Sequence, residues 1–359
     1  DGSSTSTITV QLKDANSNNL TESGGTVALS STAGGLSTVT NNNDGTYTAT
    51  LTSTTTPGTA TVTGTLEGDA LVDDATVEFT VGSASLTQST ITANPTSITA
   101  DGSSTSTITV QLKDTNGNDL TGSGGTVALS TTAGNLSAVT NNNDGSYTAT
   151  LTSSNTVETA TVTGTLNTNS ISDNATVNFT VGSASLTEST ITASPTSITA
   201  DGSSTSTITV QLKDDGGNDL TESGGIVALS TTSGSLTAVT DNGDGTYTAT
   251  LTASTTAGTA TVTGTLEGDA LANDATVEFT PGAASTATST ITASPESIPA
   301  DGSSTSTITV QLKDANGNDL TSSGGTVALS TDAGSLSGVT DNGDGSYTAT
   351  LTASNTVET

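Results

Sequence analysis

The run Asp-Gly-Ser-Ser-Thr-Ser-Thr-Ile-Thr-Val-Gln-Leu-Lys-Asp fills residues 1–14 and returns unchanged at 101–114, 201–214 and 301–314. The chain is therefore a tandem array with a period of 100 residues and no insertion or deletion. Such register fixes the architecture before any propensity argument does: each period is one structural unit, and units follow one another along the chain. Residues 201–259 and 301–359 differ at about a dozen positions, mostly in turn-like segments, as at Asp215/Ala315 and Thr232/Asp332. A second regularity overlies the first. Glu67-Gly68-Asp69-Ala70-Leu71 returns as Glu267-Gly268-Asp269-Ala270-Leu271, whereas unit two has Asn167-Thr168-Asn169-Ser170-Ile171. Asn155-Thr156-Val157-Glu158 likewise matches Asn355-Thr356-Val357-Glu358, so odd and even units read as two alternating types.

Within a unit, apolar and polar residues alternate with period two, the pattern of half-buried strands. In unit two, Ile108, Val110 and Leu112 share one face while Thr107, Thr109, Gln111 and Lys113 take the other. The turn Asp114-Thr115-Asn116-Gly117-Asn118 follows, its Asn-Gly suited to left-handed backbone. Val127 and Leu129 mark a short strand; Leu136 and Val139 precede the loop Asn141-Asn142-Asn143-Asp144-Gly145. Three further inward rows come next: Tyr147, Ala149 and Leu151; Ala160, Val162, Gly164 and Leu166; and Ala175, Val177, Phe179 and Val181. Ile191 and Ile198 open the following unit around Pro195, which suits an edge strand that switches sheets. No segment shows a sustained helical period. Seven or so short strands per 100 residues is the rhythm of an immunoglobulin-like sandwich, and the chain reads as all-β, a set of tandem Ig-like β-sandwich domains stacked as an elongated rod. About 20 Val, Ile, Leu, Phe and Tyr per unit, at roughly 1.5–3 kcal/mol each, support one thin two-sheet core and leave nothing to enclose a cavity. The rungs of a β-helix are far shorter than this period. The units divide as 1–82, lacking its first strand; 83–182 and 183–282, both complete; and 283–359, lacking its last strands.

Composition then narrows the chemistry. There is no His, Cys, Met or Trp, and Lys+Arg 4 against Asp+Glu 35 leaves a net charge of −31. Nucleic acid and anionic membranes are poor partners for such a surface. The usual zinc, haem and iron–sulfur ligands are missing, and no Ser-His-Asp or Cys-His nucleophile can be assembled. Paired carboxylates for glycoside hydrolysis lack aromatic sugar platforms, so the chain reads as a non-enzyme. Low hydrophobicity with high charge is also the signature of disorder, but disordered acidic chains lack the alternating Thr, Val and Ile seen here. No apolar run is long enough to cross a bilayer as a helix.

The run Ser-Thr-Ile-Thr-Ala-Ser-Pro-Thr-Ser-Ile-Thr-Ala-Asp-Gly at 189–202, the Lys213-Asp214 turn ending Gly217-Asn218, and Asp241-Asn242-Gly243-Asp244-Gly245-Thr246-Tyr247-Thr248-Ala249-Thr250-Leu251-Thr252 resemble bacterial Ig-like domains of the invasin/intimin type. The resemblance covers every unit. It implies a structural stalk segment of a large extracellular or cell-surface adhesin, a rigid spacer between an outer-membrane anchor and a receptor-binding tip. It implies an extracellular place on a bacterial cell surface and, as partners, neighbouring repeats of the same or a longer chain. No receptor-binding residue carries over, because the lectin-like cap of the family has no counterpart here. Two alternatives come from other classes: a self-assembling filament, sheath or surface-layer protein, and a glycan- or ice-binding module that uses Thr rows such as Thr148-x-Thr150-x-Thr152 and Thr161-x-Thr163-x-Thr165.

Four features are candidates for chemistry. The Lys residues, Lys13, Lys113, Lys213 and Lys313, invite an intramolecular Lys–Asn crosslink, but alternation puts them on the outward face, where a solvated Lys softens local charge. Asp114-x-Asn116-x-Asn118 begins like a calcium loop and then fails, with Asp119 at the sixth position and Gly125 at the twelfth. The denser carboxylate cluster is Glu67, Asp69, Asp73 and Asp74, echoed by Glu267, Asp269 and Asp274; these are the candidate ligands for a structural Ca2+ in odd units, with no cofactor required for the fold. Unit two replaces them with Asn167, Asn169 and Ser172 and keeps Asp173. Asn19-Leu20-Thr21, Asn174-Ala175-Thr176 and Asn178-Phe179-Thr180 match the N-linked sequon, which the bacterial resemblance makes accidental. Finally, unit one lacks the strand that Ile91 and Ile98 open, and unit four lacks the strands matching Val162 and Phe179. That framing predicts a window on a longer array, or neighbouring copies that complete the ends.

Overall fold

The computed structural model describes residues 1–357, and among them every regular element is a strand. The chain divides into two compact units, Asp1–Thr180 and Val181–Thr359.

In the first unit, the second repeat shows the whole pattern. One sheet runs, in spatial order, Asn135–Leu136, Ser146–Thr152, Thr105–Gln111 and Thr90–Asn94, with Thr140–Asn141 also on Ser146–Thr152. The other runs Ser97–Thr99, Asn169–Thr180, Glu158–Leu166 and Val127–Thr131. All pairs are antiparallel except Ser97–Thr99, which lies parallel to the end of Asn169–Thr180 with Ile98 opposite Phe179. The chain passes from the first sheet to the second at the cis Asn94–Pro95 bond. Proline has no N–H, so no donor is stranded where one ladder is left for the other.

The inward rows expected from alternation meet between these sheets. Ile108, Val110, Leu112, Tyr147, Leu151, Ala160, Val162, Val177 and Phe179 form one buried cluster. Each large member contributes about 1.5–3 kcal/mol by leaving water. Leu136, Val139 and Val181 are only partly covered. Two details fix the end of the sandwich near the Asn-rich loop. The Tyr147 hydroxyl donates to Gly125 O at 2.6 Å. Gly145 has φ 87°, and a Cβ there would stand 2.1 Å from Leu120 O, so no other residue fits without moving backbone. In the first repeat, Thr5–Gln11 pairs with Thr46–Thr52, and Gly58–Leu66 pairs with both Val27–Ser31 and Ala75–Phe79, over two smaller core clusters.

In the second unit, the third repeat rebuilds the same two sheets, again with a cis bond at Ser194–Pro195 and a parallel pair, Ile198 opposite Phe279. The alternating types are visible in the last strand. It is continuous in repeat two, Asn169–Thr180, but broken into Asp269–Ala270 and Ala275–Thr280 in repeat three, as into Asp69–Ala70 and Ala75–Phe79 in repeat one. The hairpin leading into it turns on two residues of positive φ: Glu67-Gly68, Asn167-Thr168 and Glu267-Gly268, the requirement of a type I′ turn. The fourth repeat keeps the sheet containing Thr305–Gln311 and Ser346–Thr352. Its Val327-Ala328-Leu329-Ser330-Thr331, identical in sequence to Val127–Thr131, is not a strand. In repeat two the same five residues pair along Glu158–Leu166, with Val127 opposite Leu166. Ile291 is 61% exposed, against 3% for Ile91 and 5% for Ile191.

Candidate functional site: the joint between repeats

The least expected cluster of polar side chains lies where one repeat hands over to the next. The Lys-Asp turn of the second repeat closes on itself first. Asp114 Oδ1 accepts the backbone N–H groups of Asn116 at 2.9 Å and Asn118 at 3.0 Å, and the Asn118 side-chain amide donates to Asp114 Oδ2 at 3.0 Å. This is the Asx geometry that a short acceptor followed by an Asn-Gly pair adopts. The turn then reaches outward in two directions. Gly82 donates its N–H to Asp114 Oδ2 at 3.1 Å, which ties the linker to the turn, and Asn118 Nδ2 donates to Thr55 O at 2.7 Å, a carbonyl in the body of the preceding repeat. The linker continues along the turn: Ser85 N donates to Lys113 O at 2.7 Å, and Lys113 N donates to the buried Ser89 hydroxyl at 3.1 Å.

The second unit repeats the device. Gly182 N meets Asp214 Oδ2 at 2.9 Å and Gly282 N meets Asp314 Oδ2 at 3.0 Å. Asn318 reaches back as Asn118 does, donating to Thr255 O at 2.9 Å and accepting the Ala257 N–H at 2.9 Å, while Asn316 Nδ2 donates to Ala200 O at 2.9 Å. Asp114, Asp214 and Asp314 are each 2% exposed. Asp14, their counterpart in the first repeat, is exposed. A buried carboxylate without a cation is held by N–H donors. The Asn118 amide, with Gly82, Asn118 and Asn116 behind it, holds the Asp114 carboxyl down at about 2 against the opposing effect of burial. At Asp214 and Asp314 burial pushes upward most strongly, yet the same set of donors leaves both lowered.

The carboxylates proposed from sequence as calcium ligands are placed as follows. Glu67 accepts the Thr26 N–H at 2.5 Å through Oε1, and Glu267 accepts the Ile226 N–H at 2.7 Å. Asn167, their counterpart, does the same for Thr126 N–H at 2.9 Å, so the Glu/Asn alternation preserves one backbone contact. Asp69 and Asp269 sit at exposed hairpin ends; Asp73, Asp74 and Asp274 are exposed beyond them. Asp173 instead accepts the Ile91 N–H at 2.8 Å. Among the described residues no three acidic side chains converge in a way that would hold a metal ion. Lys113, Lys213 and Lys313 pair with Asp119, Asp219 and Asp319 across their hairpins, partly exposed contacts of about 0–1 kcal/mol each. The joint was missed by sequence reasoning because its halves lie 32 residues apart. The available signal was the recurrence of Gly82, Gly182 and Gly282 at one fixed distance from an Asp-x-x-Gly-Asn turn.

Fold and joint together define a class: Ig-like β-sandwiches in tandem, seated in pairs within each unit by a turn at the later sandwich's entry. The family model that matches the chain is described as invasin, domain 3, and it matches four times, over residues 1–82, 85–182, 185–282 and 285–359. The chain belongs to that family, a family of adhesin domains found outside the cell or at its surface. It is similar to the Escherichia coli adhesin FdeC, with 28% identity over 77% of this chain and 91% of that one and a TM-score of 0.45. It is similar to invasin, a bacterial integrin-binding protein, with 27% identity over 98% of this chain and 71% of that one and a TM-score of 0.46. Yersinia pseudotuberculosis InvD matches at 29% identity over 66% and 73% of the two chains, with a TM-score of 0.40. No helix among the described residues is long and apolar enough to cross a membrane.

Proposed function

We propose that this chain is a spacer segment in the stalk of a bacterial cell-surface adhesin, with repeats bounded at 83–182 and 183–282 as its folding units and without catalytic activity of its own. The observation that carries the reading is the double hold of one turn on its neighbour: Asp114 on the linker at Gly82, Asn118 on the preceding repeat at Thr55. A linker free to swivel would need neither. Free flexible chain spreads its end-to-end distance over about 5–6 Å × √n, whereas a linker bonded along its length holds one distance. Family membership supports the adhesin setting, and the net charge of −31 keeps neighbouring copies apart.

Because the chain has no cysteine, Thr38→Cys with Ala138→Cys gives one spin-label pair an exact period apart, both at exposed positions. A narrow distance distribution by pulsed electron paramagnetic resonance is expected, broadened in the Asn118→Ala and Asp114→Ala backgrounds. A distribution as broad as that of a flexible tether in the parent chain would remove the spacer reading. Intermolecular dipolar coupling in dilute solution would instead favour lateral assembly.

A further inference from the structure

Tension along the chain enters the second repeat at its opening strands and leaves through its last, Asn169–Thr180. Ser97–Thr99 runs parallel to the far end of that last strand, with Ser97 opposite Asn178, Ile98 opposite Phe179 and Thr99 opposite Thr180. Two further bonds close this short ladder: Asn178 N donates to Thr96 O at 2.9 Å and Ala100 N to Thr180 O at 2.8 Å, while the Thr180 hydroxyl reaches Ile98 O at 3.3 Å. In a parallel pair, pulling the start of one strand and the end of the other drives them past each other along the ladder. Every rung is then loaded at once. An antiparallel hairpin opened from its free end, such as Glu158–Leu166 with Asn169–Thr180, gives way one rung at a time. Ile98 is 8% exposed, so sliding would also draw its side chain out of the core.

We propose that this parallel pair is a load-bearing clamp, and that each complete repeat is built to carry tension between its ends. The third repeat holds the same clamp: Ser197, Ile198 and Thr199 face Glu278, Phe279 and Thr280, with Glu278 N on Thr196 O at 2.9 Å and Ala200 N on Thr280 O at 2.8 Å. The inference extends the spacer reading from bending to pulling, and the two fail separately, since a loose joint can connect strong sandwiches and a stiff joint weak ones.

The test is single-molecule force spectroscopy on the full chain, with cysteine handles placed in two geometries. Handles at Ser83 and Ser183 load the clamp in shear; handles at Glu158 and Asn178 unzip the hairpin. Rupture under force follows the unfolding rate of the loaded geometry, so the first pair is expected to need about twofold more force or higher. Each shear event should release roughly 300 Å of chain, at up to about 3.3–3.6 Å per residue. Ala100→Pro, which deletes the donor to Thr180, is expected to lower the shear force alone. Thr99→Pro, whose N–H points away from the ladder by strand alternation and whose counterpart in the fourth repeat is Pro299, is expected to leave it unchanged. Equal forces in the two geometries, or an equal fall in both on Ala100→Pro, would overturn the proposal.

Discussion

Gly82 donates its backbone N–H to the Asp114 carboxylate at 3.1 Å, and Asp114, with that linker over it, is 2% exposed, whereas Asp14 is exposed. Asp114→Ala strands four N–H donors at a covered site, whereas Asp14→Ala releases its donors to water, and unpaired buried donors are the costly case. The expected result is a clearly lower urea midpoint for the Asp114 variant and little change for Asp14→Ala, read by circular dichroism on the full chain.

Acid should act through the same residue. The Asp114 carboxyl is held at about 2 in the folded chain, against an ordinary value of about 3.9. Since the folded pKa is depressed, its contribution is fully present above about pH 4 and is lost as pH falls from there toward 2. Denaturation midpoints between pH 5 and 2 should fall less steeply in Asp114→Asn than in the parent; parallel curves would show that the carboxylate contributes no such linkage.

Thr168 sits at φ 74° in a turn where its counterparts, Gly68 and Gly268, take 97° and 94°. A β-branched residue in left-handed backbone costs roughly 1–2 kcal/mol, partly offset by the lower unfolded-state entropy of Thr. Thr168→Gly is expected to stabilise the chain by about 0.5–1 kcal/mol, which chemical denaturation can resolve.

The reverse experiment belongs to Gly145. Its φ of 87° and the position of Leu120 O leave no room for a methyl group, so Gly145→Ala must move backbone under the Asn-rich loop. A loss of about 2–4 kcal/mol is expected, combining strain and overpacking, with Gly117→Ala, where nothing lies near the new Cβ, paying mainly the strain.

Glu67→Gln should be almost neutral, because Asn167 already performs the same backbone contact with an amide oxygen. Glu67→Ala should cost about 0.5–1.5 kcal/mol, the usual value of one such bond. With the Glu67 and Glu267 oxygens engaged this way, calcium and sodium salts of equal ionic strength are expected to raise the melting temperature equally, as screening of −31 requires. A calcium-specific gain would assign the acidic loops a metal site.

Much of this fold was legible because alternation is a local signal. Ile108, Val110, Leu112, Tyr147, Leu151, Val162 and Phe179 all proved buried, and Pro95 and Pro195 do mark the passage between sheets. Two things were not legible. The parallel seat of Ile98 on Phe179 joins segments far apart in sequence, its Thr180 hydroxyl meeting Ile98 O across 82 residues, and periodicity carries no information about partners. The role of Asp114 was hidden by the opposite problem: an Asp-x-Asn-x-Asn string suits a metal loop, an Asx turn or both, and it does not show that Gly82 joins the Asn118 amide on its second oxygen.

The joint contains nothing that depends on which repeat of the series it belongs to. Its receptor is the turn after a repeat's second main strand, its ligand the glycine that closes the repeat before, and both recur every 100 residues. Whole periods can therefore be added or removed without any new interface having to arise. On the spacer reading proposed above, reach would change in integer steps, and with two alternating types the natural step is a pair.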